Sequence, residues 1–345
     1  MLIKRVVSVL VLLPVVAGGA LLWLWNDYRG YINSAANIQE TRIYNVEKGM
    51  YYNSLVEDLE QESIIDNALY MRVMARIEPQ FTHIKAGEYR LEPGMTPREI
   101  VQKMVSGDTL RYRFTIIEGT RWSELRSALA REEMLEQRIG DMDDKQVVEA
   151  LGLEAADPEG MFLAETYQFE RGMSDLDLLS RAHQALTKTL ETAWSERAEK
   201  LPLKTPYEAL ILASIVEKET GVAEERPRIA GVFARRLDRG MRLQTDPTVI
   251  YGMGDAYKGN IRRSDLRKAT PYNTYLIDGL PPTPIAMVGS EAIRAAVDPT
   301  PGKALYFVAR GDGSHHFSDT LTEHNRAVAR YQLKRAKNYR SSPEN

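Results

Sequence analysis

The chain has 345 residues, which is enough for two or three folded units, since domains commonly contain ~100 to 200 residues. Charged residues make up 27% of the sequence and the formal net charge is only -3, so the strongly basic face of a nucleic-acid-binding protein is not expected. The absence of cysteine excludes disulfides, thiolate metal sites and a cysteine nucleophile.

The first predicted element is a membrane-spanning helix at residues 6–25. This run is uncharged and mainly apolar, and at ~1.5 Å per residue it matches a hydrocarbon core ~30 Å thick. Two basic residues precede it, and Trp23 and Trp25 end it, where a cleaved signal peptide would end in small residues. We therefore predict a cytoplasmic tip at residues 1–5 and a single-pass anchor.

A polar linker, residues 26–40, leads into a strand–turn–helix pattern that occurs three times along the chain. The three β-prone runs each end in a turn glycine and precede an amphipathic stretch: Tyr44–Gly49, Tyr89–Gly94 and Phe114–Gly119. Residues 41–110 are predicted to form a small α+β module whose pattern resembles the LysM-like family of glycan-binding βααβ units. The alternative is a spacer that holds the rest of the chain at a fixed height.

Residues 111–345 alternate helical and short extended segments without a repeat, a GxGxxG sequence or a P-loop. This alternation favours one larger mixed α+β domain. The helical patterns cover 174–199, 206–220, 224–239, 290–297 and 321–339, and a hairpin is predicted over 305–317 around Gly311-Asp312-Gly313.

The clearest of these helices begins after Thr205, the expected N-cap. Pro206 occupies its first position, Glu208 is placed to close a capping box, and Gly221 is the expected stop. Residues 210–216 are nearly all apolar, so the helix is predicted to be buried on most of its faces.

Glu217 and Glu219 lie at the C-terminal end of this helix. Apolar surroundings and the negative end of the helix dipole both disfavour a carboxylate, so the pKa of either residue is expected to rise. A raised pKa suits a general acid that works near neutral pH. Helical geometry does not choose between the two residues, and both could instead be solvated charges.

Three multi-residue motifs follow one another in the second half of the chain: Ile215–Thr220 (IVEKET), Leu243–Thr248 (LQTDPT) with Tyr251-Gly252, and Tyr272–Tyr275 (YNTY) followed by Gly279–Ile285. Further features are the anchor, the LysM-like pattern, Glu159-Gly160 with Glu165-Thr166-Tyr167, and His316-Phe317. Together they resemble the endolytic murein transglycosylases of the MltG (YceG-like) family, over essentially the whole chain.

The resemblance implies a reaction and selects Glu219 as the catalytic residue. In this reaction Glu219 protonates the oxygen of the β-1,4 bond between N-acetylmuramic acid and N-acetylglucosamine. It then takes the proton of the muramoyl 6-hydroxyl, which closes a 1,6-anhydro ring. The implied partners are nascent peptidoglycan strands, the inner membrane and cell wall synthases such as penicillin-binding proteins, with the catalytic domain in the periplasm.

The remaining site residues are polar groups in the motifs. Substrate binding is predicted for Gln244, Thr245, Asp246, Asn273, Thr274 and Tyr275, and a supporting role for Glu217, Glu165, Tyr167 and His316. The five histidines form no zinc-protease motif, so neither a metal nor a cofactor is expected.

Two alternatives stay open. Asp246 could activate water as a second carboxylate, which would make the protein a muramidase-type hydrolase. In the second alternative, the protein is a non-enzymatic peptidoglycan-binding scaffold, and Glu219 is only a charge at a helix end.

Overall fold

The structure, a computed structural model, describes the backbone of residues 2–333 and the side chains of residues 15–332. Helix α1, Leu2–Ile32, includes the predicted anchor and continues beyond it. The side chains of the predicted tip and of residues 6–14 lie outside the described ones. Within the described part of the chain, no helix is both long and apolar enough to cross a membrane.

The chain divides after Tyr112 into two compact units. The first is built on an antiparallel pair of strands, in which Arg42 lies opposite Leu91 and Val46 opposite Gly87. Its elements after α1 are β1 (Arg42–Val46), α2 (Tyr52–Gln61), α3 (Ala68–Ile77), a 3-10 turn (Pro79–Thr82), β2 (Gly87–Leu91) and α4 (Pro97–Ser106).

Buried residues from every layer form the core of this first unit. The end of α1 contributes Tyr28 and Ile32, β2 contributes Tyr89, and the helices contribute residues such as Leu55 and Met71. The amphipathic spacing seen in the sequence therefore points each helix toward this shared core. A capping box is present at the start of α4, because Thr96 and Glu99 each bond the other's backbone N–H.

The second unit is mixed α+β. It contains β3 (Tyr112–Thr115), α5 (Trp122–Leu129), α6 (Asp144–Leu151), β4 (Thr166–Phe169), α7 (Asp175–Ser195), α8 (Pro206–Glu219), α9 (Arg226–Asp238), α10 (Asp246–Met253), α11 (Ser290–Val297), β5 (Tyr306–Ala309), β6 (His315–Ser318) and α12 (Leu321–Val328). Strand β3 pairs with β4, and β5 pairs with β6 in the predicted hairpin. After α12 the helix continues as a π-helical turn, Ala329–Leu333, and the rest of the predicted 321–339 helix lies outside the described residues.

Helix α8 is the centre of the second unit. It packs against α7, α9, α10 and α11, and every residue from Ala209 to Glu217 is buried. A helix that is apolar on all faces is stable only when neighbours surround it, which is what the sequence predicted. The acid-bearing end of α8 is therefore held by several elements at once.

The two ends of α8 differ in detail from the prediction. Thr205 Oγ1 accepts the N–H of Glu208 at 3.2 Å, but the Glu208 carboxylate accepts from Lys204 N at 2.6 Å, so only half of the predicted capping box forms. Gly221 is not the stop. Thr220 ends the helix in an extended conformation (φ -147°, ψ 134°), a geometry that suits a β-branched residue.

Helix α10 was not predicted. Its sequence, DPTVIYGM, is rich in β-branched residues and contains a tyrosine and a glycine, all of which have modest or poor helix propensity. Thr248 and Val249 are buried, and packing against α8 stabilises a helix that local preference would not. The site therefore contains a helix start that the sequence did not predict.

Candidate active site

Glu219 opens onto a cavity of about 550 Å³ in the second unit. It is the last residue of α8, and its carboxylate accepts a hydrogen bond from the hydroxyl of Thr245. The cavity is also lined by Gln244, Asp246 and Tyr275. Five residues of the prediction are thus brought together, although 56 positions separate Glu219 from Tyr275.

The environment of Glu219 raises the pKa of its carboxyl group to about 7. Burial is the largest cause, because a low-dielectric surrounding disfavours the charged form. The negative charge of Asp246 acts in the same direction, and the hydrogen bond from Thr245 opposes both. A carboxyl group of this kind is substantially protonated near neutral pH and can act as a general acid.

Glu217 has a different environment. One of its oxygens accepts from Arg226 Nη2 at 2.9 Å and the other from Gly289 N at 3.0 Å. Arg226 also bonds Glu118 at 2.8 Å. Burial raises the pKa of Glu217, while Gly289 N–H and Arg226 lower it.

Tertiary structure therefore separates the two glutamates that helical geometry left equivalent. Glu219 faces the cavity, whereas Glu217 is buried in a charge cluster and does not line the cavity. The two residues are two positions apart, so their side chains leave the helix in directions that differ by ~200°.

The segment that carries Thr245 is held by a buried arginine. Arg236 donates through Nη1 to the carbonyls of Arg242 at 3.0 Å and Leu243 at 2.9 Å, and through Nε to the carbonyl of Leu305 at 2.7 Å. Gln244 has φ +52°, a left-handed conformation that non-glycine residues seldom adopt. Strained backbone of this kind persists only where its surroundings enforce it.

Asn273 and Thr274 lie behind the cavity wall. Both are buried, and Asn273 donates to the carbonyls of Leu266 at 3.1 Å and Lys268 at 2.8 Å. Thr274 Oγ1 accepts from Thr245 N at 3.0 Å. These bonds position the wall, and neither side chain lines the cavity. The neighbouring Tyr275 does line it, and its hydroxyl donates to Asp246 at 2.7 Å.

The other three predicted supporting residues, like Glu217, lie away from the cavity lining. Glu165 is exposed, Tyr167 donates to the carbonyl of Leu163 at 2.8 Å, and the His316 ring packs against Tyr331. The neighbouring histidine, His315, lines the cavity instead. Its N–H and its Nδ1 contact the two oxygens of buried Glu225 at 2.8 and 2.7 Å.

Sequence reasoning also missed Arg236 and the aromatic residues of the hairpin, Tyr306 and Phe307, which complete the lining. Arg236 did carry a signal. It lies three positions after Phe233 and seven after Ile229, on the apolar stripe of α9, where a charged residue must be buried or must distort the helix packing. Among the described residues, no group of histidines and acids could hold a metal ion.

The chain is similar to several known proteins. The model of the YceG-like family matches residues 44–330. An endolytic murein transglycosylase of Bacillus subtilis is 30% identical over 304 residues, which cover 83% of this chain and 84% of that protein. One from Streptococcus pneumoniae (strain D39) is 24% identical, and the match covers 94% of this chain but 65% of the longer relative.

The fold agrees with these matches. The crystal structure of a yceG-like protein from Listeria monocytogenes has a TM-score of 0.54 to this chain at 27% identity. The match covers 84% of this chain and 99% of the Listeria chain. Because the family model matches residues 44–330, which is most of the chain and includes Glu219, and a relative is 30% identical over 83% of the chain, the chain belongs to the YceG-like family.

Proposed function

We infer that the chain is an endolytic murein transglycosylase, an enzyme that cleaves the glycan strands of peptidoglycan. The observation that carries this conclusion is the position of Glu219, which is enclosed at the end of a buried helix and opens onto a cavity, with its pKa raised to about 7. The relatives named as endolytic murein transglycosylases support the same reaction class.

The proposed mechanism uses one carboxyl group for two proton transfers. Protonated Glu219 donates its proton to the leaving glycosidic oxygen as the bond to the muramoyl anomeric carbon breaks. The resulting carboxylate of Glu219 then takes the proton of the muramoyl 6-hydroxyl, and the oxygen of that hydroxyl bonds to the anomeric carbon. Glu219 ends the cycle protonated, and the product carries a 1,6-anhydro ring.

Thr245 is placed to stabilise the carboxylate that exists between the two steps, since its hydroxyl donates to Glu219. Asp246 and Tyr275 line the cavity as a hydrogen-bonded pair and would contact sugar hydroxyls. Gln244, which also lines the cavity, is the third proposed contact with the sugar. Asn273 and Thr274 position these groups from behind, and Glu217 holds the end of α8 through Arg226.

The setting of the enzyme is part of the proposal. The uncharged run at 6–25 and the exposed Leu21, Leu22 and Trp23 support attachment to the inner membrane with the catalytic unit in the periplasm. The strand–helix–helix–strand order of β1, α2, α3 and β2 supports a LysM-like glycan-binding role for the first unit. Attachment at the membrane would place the enzyme near nascent strands and their synthases.

The experiment that tests the reaction is product analysis. Purified chain is incubated with uncrosslinked glycan strands, and the new ends are identified by mass spectrometry. Anhydro ends are expected. Reducing ends would instead support a hydrolase that uses Asp246, and intact strands that remain bound would support a scaffold.

A further inference from the structure

A strongly basic loop connects α10 to the wall of the cavity. We call residues 257–268 the basic loop. It contains five cations and one carboxylate, a net charge of +4, in a chain whose total formal charge is -3. All five cations are exposed: Lys258, Arg262, Arg263, Arg267 and Lys268.

Within the described part of the chain, none of the five cations of the basic loop forms an ion pair with an acidic side chain. The carboxylate of Asp265 instead accepts the backbone N–H of Arg262 at 2.8 Å, which fixes the turn. Five like charges within twelve residues repel one another, so a positive potential is maintained at this surface without an internal counter-ion.

The loop is attached directly to the catalytic cavity. Asn273 donates to the carbonyls of Leu266 and Lys268 and accepts from Tyr275 N at 3.0 Å. Tyr275 lines the cavity. Just after the loop, Thr270 and Tyr272 pack against α10, since a Cβ added to Gly252 would lie 2.8 Å from Thr270 Oγ1 and 3.1 Å from Tyr272 Cβ.

The chemistry of the substrate points to what such a surface would bind. In a stem-bearing strand the two sugars present no anion to a cationic loop, because the lactyl carboxyl group of N-acetylmuramic acid is taken up in the amide bond to the stem. The peptide stem does present anions, because it bears free carboxylates. Amidase removal of the stem leaves the one lactyl carboxylate next to the sugar ring, so the stem-free strand lacks only the carboxylates farther along the stem. An extended stem of a few residues advances ~3.3 Å per residue, so its carboxylates can leave the cavity and reach a neighbouring surface.

We propose that the basic loop binds the carboxylates of peptide stems on uncrosslinked strands and so makes stem-bearing glycan the preferred substrate. This inference rests on the proposed function. The loop lies beside the cavity rather than in it, since none of its residues belongs to the lining. It therefore acts on the choice of substrate and on the rate of encounter, and the bond-breaking step is left to Glu219.

The test compares two substrates with two variants of the full chain. The loop variant carries Arg262→Gln, Arg263→Gln, Arg267→Gln and Lys268→Gln. The control variant removes four exposed cations elsewhere in the second unit, with Lys188→Gln, Lys200→Gln, Lys204→Gln and Lys303→Gln. The substrates are uncrosslinked strands with intact stems and the same strands after amidase removal of the stems.

The measured quantity is the ratio of kcat/KM on stem-bearing strands to kcat/KM on stem-free strands. In the loop variant the ratio should fall about tenfold, the size expected when a few solvent-exposed ion pairs are lost together. In the control variant the ratio should not change. Added salt should lower the ratio of the unmodified protein and should have little effect on that of the loop variant.

An unchanged ratio in the loop variant, or an equal fall in the control variant, overturns the proposal. Binding to vesicles identifies the competing ligand, an anionic lipid surface. For this measurement phosphatidylglycerol is added to phosphatidylcholine vesicles. If it strengthens binding of the unmodified protein but not of the loop variant, and if the loop variant also keeps the kcat/KM ratio of the unmodified protein, the loop binds membrane instead of peptide stems. Anhydro ends from stem-free strands test the proposed function alone, so the two failures are distinguishable.

Discussion

The hydrogen bond from Thr245 to Glu219 is expected to set the pH at which the enzyme loses activity. Burial and the charge of Asp246 raise the pKa of Glu219 to about 7, and the Thr245 hydroxyl limits that rise because it stabilises the carboxylate. Thr245→Val removes the donor and nearly keeps the shape of the side chain. No helix cap is lost, since the Thr245 side chain makes no capping bond to α10.

The magnitude follows from the hydrogen bond. A bond to a charged group stabilises it by about 1.5 kcal/mol at the low end of the usual range, and one pKa unit corresponds to about 1.36 kcal/mol. Removing the donor should therefore raise the pKa of Glu219 by about one unit. Because Glu219 must be protonated to donate a proton, kcat/KM of the unmodified protein should fall as pH rises through about 7. The Thr245→Val variant should remain active to a pH about one unit higher.

The assay is the pH profile of kcat/KM for anhydro-end formation between about pH 5 and about pH 9, a range that includes both midpoints. Thr248→Val is the matched control. Its hydroxyl is also buried in this wall, but it bonds the Thr245 carbonyl at 2.8 Å and Thr274 Oγ1 at 2.9 Å rather than Glu219. A Thr245→Val midpoint that stays in place or falls, or an equal shift in both variants, would contradict this role of Thr245.

Three further substitutions test the acid and its neighbours. Glu219→Gln should lower formation of anhydro ends by at least ~100-fold. At alkaline pH the variant should also have a higher free energy of unfolding in urea than the unmodified protein, by up to about 3 kcal/mol. The pKa of Glu219 is raised from 4.5 to about 7 in the folded protein, so the folded state of the unmodified protein is destabilised as pH rises between these values. Equal pH dependence of unfolding in both proteins would contradict this. Asp246→Asn removes the charge that raises the pKa of Glu219, so its activity midpoint should move down, and its products should keep anhydro ends; reducing ends throughout would indicate a hydrolase. Glu217→Gln weakens the ion pair with Arg226 and should lower the free energy of unfolding by about 1 to 3 kcal/mol. It should reduce kcat far less than Glu219→Gln does. An equal loss of kcat in both variants would mean that Glu217 and Glu219 act as one unit.

Local signals in the sequence were enough to predict many of the turns, helices and strands. The three turn glycines, Gly49, Gly94 and Gly119, all have positive φ, and the hairpin, the start of α8 and the burial of α8 follow the prediction. Each of these features depends on residues within a few positions of one another, or on the periodicity of one helix. For that reason they can be read without knowledge of the fold.

The arrangement of the site depends on contacts between distant parts of the chain. Glu219 meets Thr245 across 26 positions, and Glu118 meets Arg226 across 108. No periodicity within one helix contains such pairings, because they form only when α8, α9, the start of α10 and the loop between β3 and α5 come together. The sequence by itself determined that a buried helix ends in two glutamates and which family motif contains them. Tertiary packing decided that Glu219 opens onto the cavity while Glu217 is held in a buried charge cluster, because only the neighbouring elements supply a hydroxyl and a cavity to one and an arginine to the other.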